Sequence, residues 1–159
     1  MEQNSHFGVT PREELAKTNG LDFLHGMIAG RYPAPPIAQT LGFRLVEAEP
    51  NRAVFEGRSS QALLNPLGSV HGGWALTLID SATGCALQTV LDAGVGYTTI
   101  ETKVNFVRPI GPDDEIVRCE GRVLSRGRQI ATAEAKLQNV EGKLPAHGLS
   151  TLIILPPRS

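Results

Sequence analysis

The fold of this chain is decided by residues 70–91, which read VHGGWALTLIDSATGCALQTVL. Apolar side chains in this stretch fall at spacings that cover nearly every face of a helix, which is typical of a helix buried on all sides. Asp80 is the only charged residue between His71 and Asp92. The pattern therefore predicts one long, largely buried helix with a single acid inside it.

Strand patterns flank this helix on both sides. Two extended runs joined by Pro50-Asn51 precede it, and four more follow, linked by turn signals such as Gly111-Pro112 and Arg126-Gly127. The expected strands are 41–49, 52–58, 97–107, 115–125, 129–138 and 146–155. One buried helix among six mostly hairpin-linked strands predicts an α+β protein in which an antiparallel six-stranded sheet wraps around the helix, the hot-dog architecture.

The residues before the first strand have a different pattern. Asn19-Gly20 divides an amphipathic segment that ends near residue 29 into two short helices, and Pro33, Pro35 and Pro36 then break it. We therefore expect an N-terminal helical extension at residues 1–35 and a hot-dog domain at residues 36–159. The floor of a substrate pocket is sought among the large side chains of this segment and the helix: Leu24, Met27, Ile28, Tyr32 and Trp74.

Composition narrows the class of function. The chain has 159 residues, 41% of them hydrophobic, and a formal net charge of -1, so nothing indicates a nucleic-acid or membrane partner. Its start is polar, without the apolar core of a secretory signal, and we expect a cytoplasmic location. Cys85 and Cys119 form neither a disulfide framework nor a zinc set, and no metal site is predicted.

Two features of the helix indicate chemistry. Gly72 and Gly73 lie where the helix begins, where backbone N–H groups lack partners within the helix and the helix dipole is positive. Glycine lets a ligand approach this backbone closely, so the helix start can polarise a carbonyl and hold a developing oxyanion. Asp80 needs compensation if it is buried, and a buried acid near a cleft is a candidate catalytic group.

With Asn65 in the preceding loop, these residues resemble the phenylacetate-pathway (PaaI-like) branch of hot-dog thioesterases. That branch carries an Asn in the loop, His-Gly-Gly at the helix start and an acid within the helix, in the order and spacing seen here. The resemblance covers about residues 36–155, including 103–109, Gly127-Arg128 and 131–135. It implies a thioester substrate on coenzyme A, with no separate cofactor.

The resemblance also implies roles for individual residues. Asp80 would act as nucleophile or general base, and the Gly72 amide would polarise the thioester carbonyl. His71 and Asn65 would orient the carbonyl or the attacking water. A strand hydroxyl would hold water near Asp80, matched to Thr99 with Thr98 as the alternative register. The residues expected to bind substrate are Gly73, Thr98 and the hairpin that would contact the CoA phosphates, Arg126, Gly127 and Arg128.

Geometry adds an independent argument. Gly72 and Asp80 are eight residues apart on one helix, roughly 12 Å along its axis at 1.5 Å per residue. Because one thioester cannot touch both, either one of them is not catalytic or the site is shared between two chains. A two-fold dimer would bring Gly72 of one protomer near Asp80 of the other. The resemblance implies sites built in this way, and we therefore expect a homodimer with shared sites, paired again into a homotetramer.

Two other functions fit parts of the pattern. A hot-dog hydratase or dehydratase acting on enoyl-CoA also uses a His and an acid near a central helix, although the His-Gly-Gly…Asp spacing resembles the thioesterases better. A non-catalytic binding module for CoA or an acyl ligand is the second alternative. Asp80 argues against it, since an apolar pocket gains nothing from a carboxylate.

Overall fold

The computed structural model describes residues 6–113 and 116–157. Three short helices come first, then two strands, one long helix and four strands. The helices are α1 (Arg12–Leu15), α2 (Gly20–Ile28), α3 (Pro36–Leu41) and α4 (Gly72–Gln88), and a 3₁₀ turn spans Gln61–Leu63. The strands are β1 (Phe43–Glu49), β2 (Arg52–Arg58), β3 (Gly96–Phe106), β4 (Ile116–Arg126), β5 (Ile130–Asn139) and β6 (Ala146–Leu155).

The strands form one antiparallel sheet in the order β1-β2-β4-β5-β6-β3. Strand β3 pairs with β6 along its whole length, from Gly96 to Phe106, with one irregularity. β3 forms an edge of the sheet, and its other side has no partner strand among the described residues. The sheet therefore has one long free edge, formed by the strand that follows the central helix.

Helix α4 lies in the concave face of the sheet and contacts all six strands. The close contact with β4 depends on Gly121, because a Cβ there would lie 2.2 Å from the Ala82 carbonyl oxygen. Leu78, Ile79 and Leu87 of the helix are fully buried against the sheet. The antiparallel sheet wrapped around one helix confirms the hot-dog fold predicted from the sequence.

The N-terminal segment packs on the same core. The Asn19 side chain caps α2 by accepting from the Asp22 N–H at 2.9 Å, confirming that Asn19-Gly20 separates two helices. Leu24 of α2 is only 1% exposed and joins the main apolar core. The His25 Nε2–H donates to the Ala48 carbonyl oxygen of β1 at 2.8 Å. Thus α2 is fixed against the sheet by apolar packing and by a hydrogen bond.

Two local features differ from the expectation. Helix α3 was not predicted; Pro36 occupies its first position, where proline is tolerated, and Gly42 ends it in the left-handed region at φ 66°. In β3, Ile100 is an apolar residue that is 58% exposed. An irregularity between Thr99 and Glu101 shifts the pattern by one residue, so Thr102 and Val104 take the less exposed positions.

None of the helices formed by residues 6–113 and 116–157 is long and apolar enough to cross a lipid bilayer.

Candidate active site

The start of α4 presents a free backbone donor. His71 is the N-cap, and its Nδ1 accepts from the Gly73 N–H at 2.9 Å, while its carbonyl oxygen accepts from the Trp74 N–H at 3.0 Å. The Gly72 N–H has no hydrogen-bond acceptor among the described residues. The cap therefore uses the Gly73 amide and leaves the Gly72 amide for a ligand at the positive end of the helix.

The loop before the helix is held by Asn65. Its Oδ1 accepts from the N–H groups of Leu67 at 2.9 Å and Ser69 at 3.2 Å, and its Nδ2 donates to Ser69 Oγ at 2.9 Å. The backbone N–H of Asn65 donates to the Ser69 carbonyl oxygen at 2.8 Å. Asn65 thus shapes the loop that leads into the helix, and it uses one of its two side-chain amide hydrogens in doing so.

Asn65, His71 and Gly72 line one cavity of about 470 Å³, together with Phe106 and Arg108. A Cβ on Gly72 would lie 3.0 Å from the Phe106 ring, so a larger residue there would press on this side chain. The structure therefore brings together three of the residues predicted from the sequence, at the helix start.

Asp80 lies in a different cavity of about 1140 Å³. Its neighbours in the lining include Ser81, Cys85, Thr98 and Thr99, so both predicted strand hydroxyls share a cavity with the acid. Gly72 is not among the residues that line it. Because α4 runs without interruption from Gly72 to Gln88, one chain holds Gly72 and Asp80 in two separate cavities.

Among the described residues, the hydroxyl that hydrogen-bonds to the Asp80 carboxylate is that of Thr102, which donates to Oδ1 at 3.3 Å. No hydrogen bond joins Thr98 or Thr99 to Asp80 in the described residues. The role of Thr99 in holding a water near Asp80 therefore stays a prediction. Sequence reasoning chose Thr99 from the family resemblance, and the β3 irregularity places both Thr99 and Thr102 at less exposed positions of the strand.

Two other titratable groups surround Asp80. Burial raises the pKa of the Cys85 thiol to about 12, the charge of Asp80 adds to this rise, and a hydrogen bond with Tyr97 opposes it. The pKa of Tyr97 is raised well above its ordinary value by burial, with Cys85 and Asp80 adding to the rise. At neutral pH the thiol and the phenol are therefore neutral beside the acid.

The apolar side of the Asp80 cavity comes largely from the N-terminal segment. The apolar side chains before β1 that line it are Phe7, Met27, Ile28, Ala34, Pro35, Ile37 and Ala38. Of the residues expected to line a pocket, Met27 and Ile28 do so. Leu24 and Trp74 are instead buried in the core, and the Tyr32 ring packs against Phe23 with centroids 5.1 Å apart.

The basic hairpin lies apart from both cavities. Gly127 makes the turn between β4 and β5, with its N–H donating to the Ile130 carbonyl oxygen at 2.8 Å. Arg126 Nη1 donates to the Val90 carbonyl oxygen at 2.6 Å, just beyond the end of α4. Arg128 is exposed and forms no ion pair within the described part of the chain. Arg126 thus supports the end of the helix through a hydrogen bond, whereas Arg128 forms no ion pair with a described residue.

Comparison with known proteins identifies chains that are similar in sequence. The family model described as the thioesterase superfamily matches residues 67–146, just over half of the chain and including most of the site. Acyl-coenzyme A thioesterase 13 of Mus musculus is 32% identical over 108 residues, covering 67% of this chain and 76% of the mouse protein.

Solved structures show the same fold. A phenylacetic acid degradation-related protein of Ralstonia eutropha JMP134 superposes with a TM-score of 0.75 at 26% identity, covering 82% of this chain and 98% of that one. A mutant of the phenylacetic acid degradation protein PaaI of Thermus thermophilus gives a TM-score of 0.68 at 26% identity, covering 74% of this chain and 97% of that one.

Proposed function

This chain belongs to the thioesterase superfamily and is a thioester hydrolase, and we propose that it hydrolyses an acyl- or aryl-acyl-CoA to the free acid and CoA. Similarity to a mouse acyl-coenzyme A thioesterase supports CoA as the carrier. The observation that carries the proposal is the pairing of a free amide at Gly72 with the acid Asp80 on one helix.

In the proposed reaction, the Gly72 N–H donates to the thioester carbonyl oxygen and stabilises the negative charge that develops there. Asp80 either attacks the carbonyl carbon as the nucleophile, forming a mixed anhydride that water then hydrolyses to the free acid, or acts as the general base that takes a proton from the water attacking this carbon. His71 and Asn65 orient the carbonyl or the water, and Thr99 holds water near the acid. The thiolate of CoA leaves as the C–S bond breaks.

The site is proposed to be shared between two protomers. The Gly72 cavity and the Asp80 cavity are separate in one chain, so each is half of a site. The free edge of β3 supports this, because a long unpaired edge strand is a template for pairing with another chain. A two-fold axis beside β3 gives two equivalent sites, and two such dimers form the proposed tetramer.

The substrate is proposed to lie with its acyl group in the Asp80 cavity and its nucleotide near the basic hairpin. The apolar wall around Met27 and Ile28 suits a hydrocarbon or aryl group. Arg128 offers an exposed guanidinium that is free of ion pairs with described residues. Such a group suits contact with a CoA phosphate.

The central experiment is Asp80→Asn, which preserves size and removes the charge. Free-thiol release from a panel of aryl-, medium- and long-chain acyl-CoAs should show kcat lower by at least about 10²-fold, the loss expected for a nucleophile or base. Asp92→Asn is the matched control, because Asp92 is an exposed acid beyond the end of the same helix. Activity of Asp80→Asn within a few-fold of wild type would contradict the assignment.

The same panel separates the competing functions. A hydratase would add water to crotonyl-CoA without releasing thiol. A binding module would bind the ligands and release nothing.

A further inference from the structure

A chain of hydroxyl groups connects Asp80 to the interior. Thr102 Oγ1 donates to Asp80 Oδ1 at 3.3 Å and lies 3.0 Å from Ser150 Oγ. Ser150 Oγ lies 2.8 Å from Thr83 Oγ1, which in turn lies 3.0 Å from the Ile79 carbonyl oxygen. Thr83 is 0% and Ser150 2% exposed. The series leads from the acid through three hydroxyls to the helix backbone.

The fold fixes the positions of these groups. Thr102 of β3 and Ser150 of β6 are directly paired across the two strands, so their side chains lie on the same face of the sheet. Thr83 lies one turn after Asp80 on α4, and Gly121 lets the helix approach the sheet closely at this level. Three separate elements thus hold the hydroxyls in register.

Each hydroxyl has one proton to donate, which constrains the direction of the series. When Asp80 is ionised it can only accept, so Thr102 donates to it. Thr102 must then accept from Ser150, and Ser150 from Thr83. In this state every bond of the series points toward the carboxylate.

When Asp80 carries a proton on Oδ1, the oxygen that Thr102 contacts, the opposite direction becomes available. Asp80 donates to Thr102, Thr102 to Ser150, Ser150 to Thr83, and Thr83 to the Ile79 carbonyl oxygen. Each oxygen keeps its own proton and only the hydroxyl rotors turn. The buried hydroxyls therefore keep hydrogen-bond partners in both charge states of the acid.

We propose that Thr83, Ser150 and Thr102 are positioning residues that reverse their hydrogen bonds as Asp80 takes up and releases a proton during the reaction. This inference rests on the proposed function, with Asp80 as general base. Without such a series, a proton on Asp80 Oδ1 would leave the Thr102 hydroxyl without an acceptor for its own hydrogen, which disfavours that protonated state. The series allows the acid to change charge without moving its side chain.

Other groups near Asp80 do not replace this role. Cys85 of α4 and Tyr97 of β3 interact with it and are neutral at neutral pH. Across the same cavity lie Glu56 of β2 and Arg44 of β1, which pair with each other at 2.9 Å, and Arg58 of β2. The hydroxyl series is the part of the surroundings that hydrogen-bonds to the Asp80 carboxylate within the described residues.

The test measures the titration midpoint of the Asp80 carboxyl carbon by ¹³C NMR together with the pH profile of thioester hydrolysis. Thr102→Val removes the donor to the ionised acid, so the midpoint and the acidic limb of kcat/KM should move up by about one pH unit. kcat should fall about 10-fold with KM within about 2-fold, since a positioned acid matters for chemistry more than for binding. Thr102→Ser should restore all of these.

Ser150→Ala provides a second variant with the opposite expected sign. It leaves Thr102 able to donate to the ionised acid but removes the acceptor that Thr102 needs when the Asp80 proton is on Oδ1. The midpoint should therefore move down, by about half a pH unit. Thr151→Ala, the neighbouring position on β6 and outside the series, is the matched control and should change neither midpoint nor rate.

An unchanged midpoint in Thr102→Val, or shifts of the same sign in both variants, would overturn the inference. So would a failure of Thr102→Ser to restore the wild-type midpoint. If the midpoints move as expected but the wild type releases no thiol from any acyl-CoA, the hydroxyl series stands and the proposed function is wrong. The NMR readout thus separates the two.

Discussion

The shared site predicts that two inactive variants restore each other. Asp80→Asn removes the acid, and Gly72→Pro removes the amide hydrogen at the first position of α4, where proline is tolerated. Within one chain the two groups are roughly 12 Å apart along the helix. If each site takes its amide from one protomer and its acid from the other, a mixed dimer has one site with both lesions and one with neither.

The size of the recovery follows from counting. In a one-to-one mixture at equilibrium about half of the dimers are mixed, and each of these has one intact site of two. The mixture should therefore reach about a quarter of the wild-type thiol-release rate, while each parent alone loses at least about 10²-fold. A single-chain site predicts no recovery at any mixing ratio.

The assay needs a control for the bulk added at residue 72, because a Cβ there would lie 3.0 Å from the Phe106 ring. Gly72→Ala adds that Cβ and keeps the N–H, so it should retain most of the activity that Gly72→Pro loses. Native mass spectrometry counts the mixed dimers. Mixed dimers without recovered activity would refute the shared site or the role of the Gly72 amide.

Three further predictions concern the surroundings of the site. Arg128→Ala should raise KM for acyl-CoAs with little change in kcat, and the rise in KM should be smaller for a thioester lacking the nucleotide. Arg126→Ala should also lower the free energy of unfolding by about 1 kcal/mol, because it loses the hydrogen bond to the Val90 carbonyl oxygen. An unchanged KM in Arg128→Ala would show that the hairpin is only a turn. Met27→Ala should raise kcat/KM for acyl groups that are a few methylenes longer by about 10-fold relative to shorter ones, and Met27→Trp should favour the shorter acyl groups. If both variants keep the chain-length preference of the wild type, the acyl group binds elsewhere. Burial in the folded state raises the pKa of the Cys85 thiol from 9.0 to about 12, so the unfolded state loses this proton first as pH rises. The free energy of unfolding measured in urea should therefore fall between these pH values, by at most about 1.4 kcal/mol per pH unit. A Cys85→Ser variant with the same dependence of stability on pH would exclude the thiol as the cause.

The central helix and the order of strands were predictable because they depend on local patterns. An apolar run that covers all helix faces and alternating strands between turn residues both reflect burial directly. The helix start was predictable for a similar reason, since His71, Gly72 and Gly73 are a cap and its first amides. Predicting these features does not require knowing which residues from other elements contact them.

The hydroxyl beside Asp80 was not predictable in this way. One irregular residue near Ile100 changes which side chains of β3 face the helix, and Thr102 is the residue of this strand that hydrogen-bonds to the Asp80 carboxylate. Ser150 enters only through the pairing of β3 with β6. Such contacts depend on tertiary register, which residue spacing along one strand does not determine.

The free edge of β3 has a consequence for how the protein responds to its own concentration. If each site is completed across that edge, dissociation of the dimer abolishes the activity of both protomers. The specific activity would then depend on the protein concentration through the dimer dissociation equilibrium. Dilution would then act as an inhibitor, and acyl-CoA bound across the two protomers would oppose it by holding them together. The amount of enzyme made would set not only how many sites exist but what fraction of them is assembled.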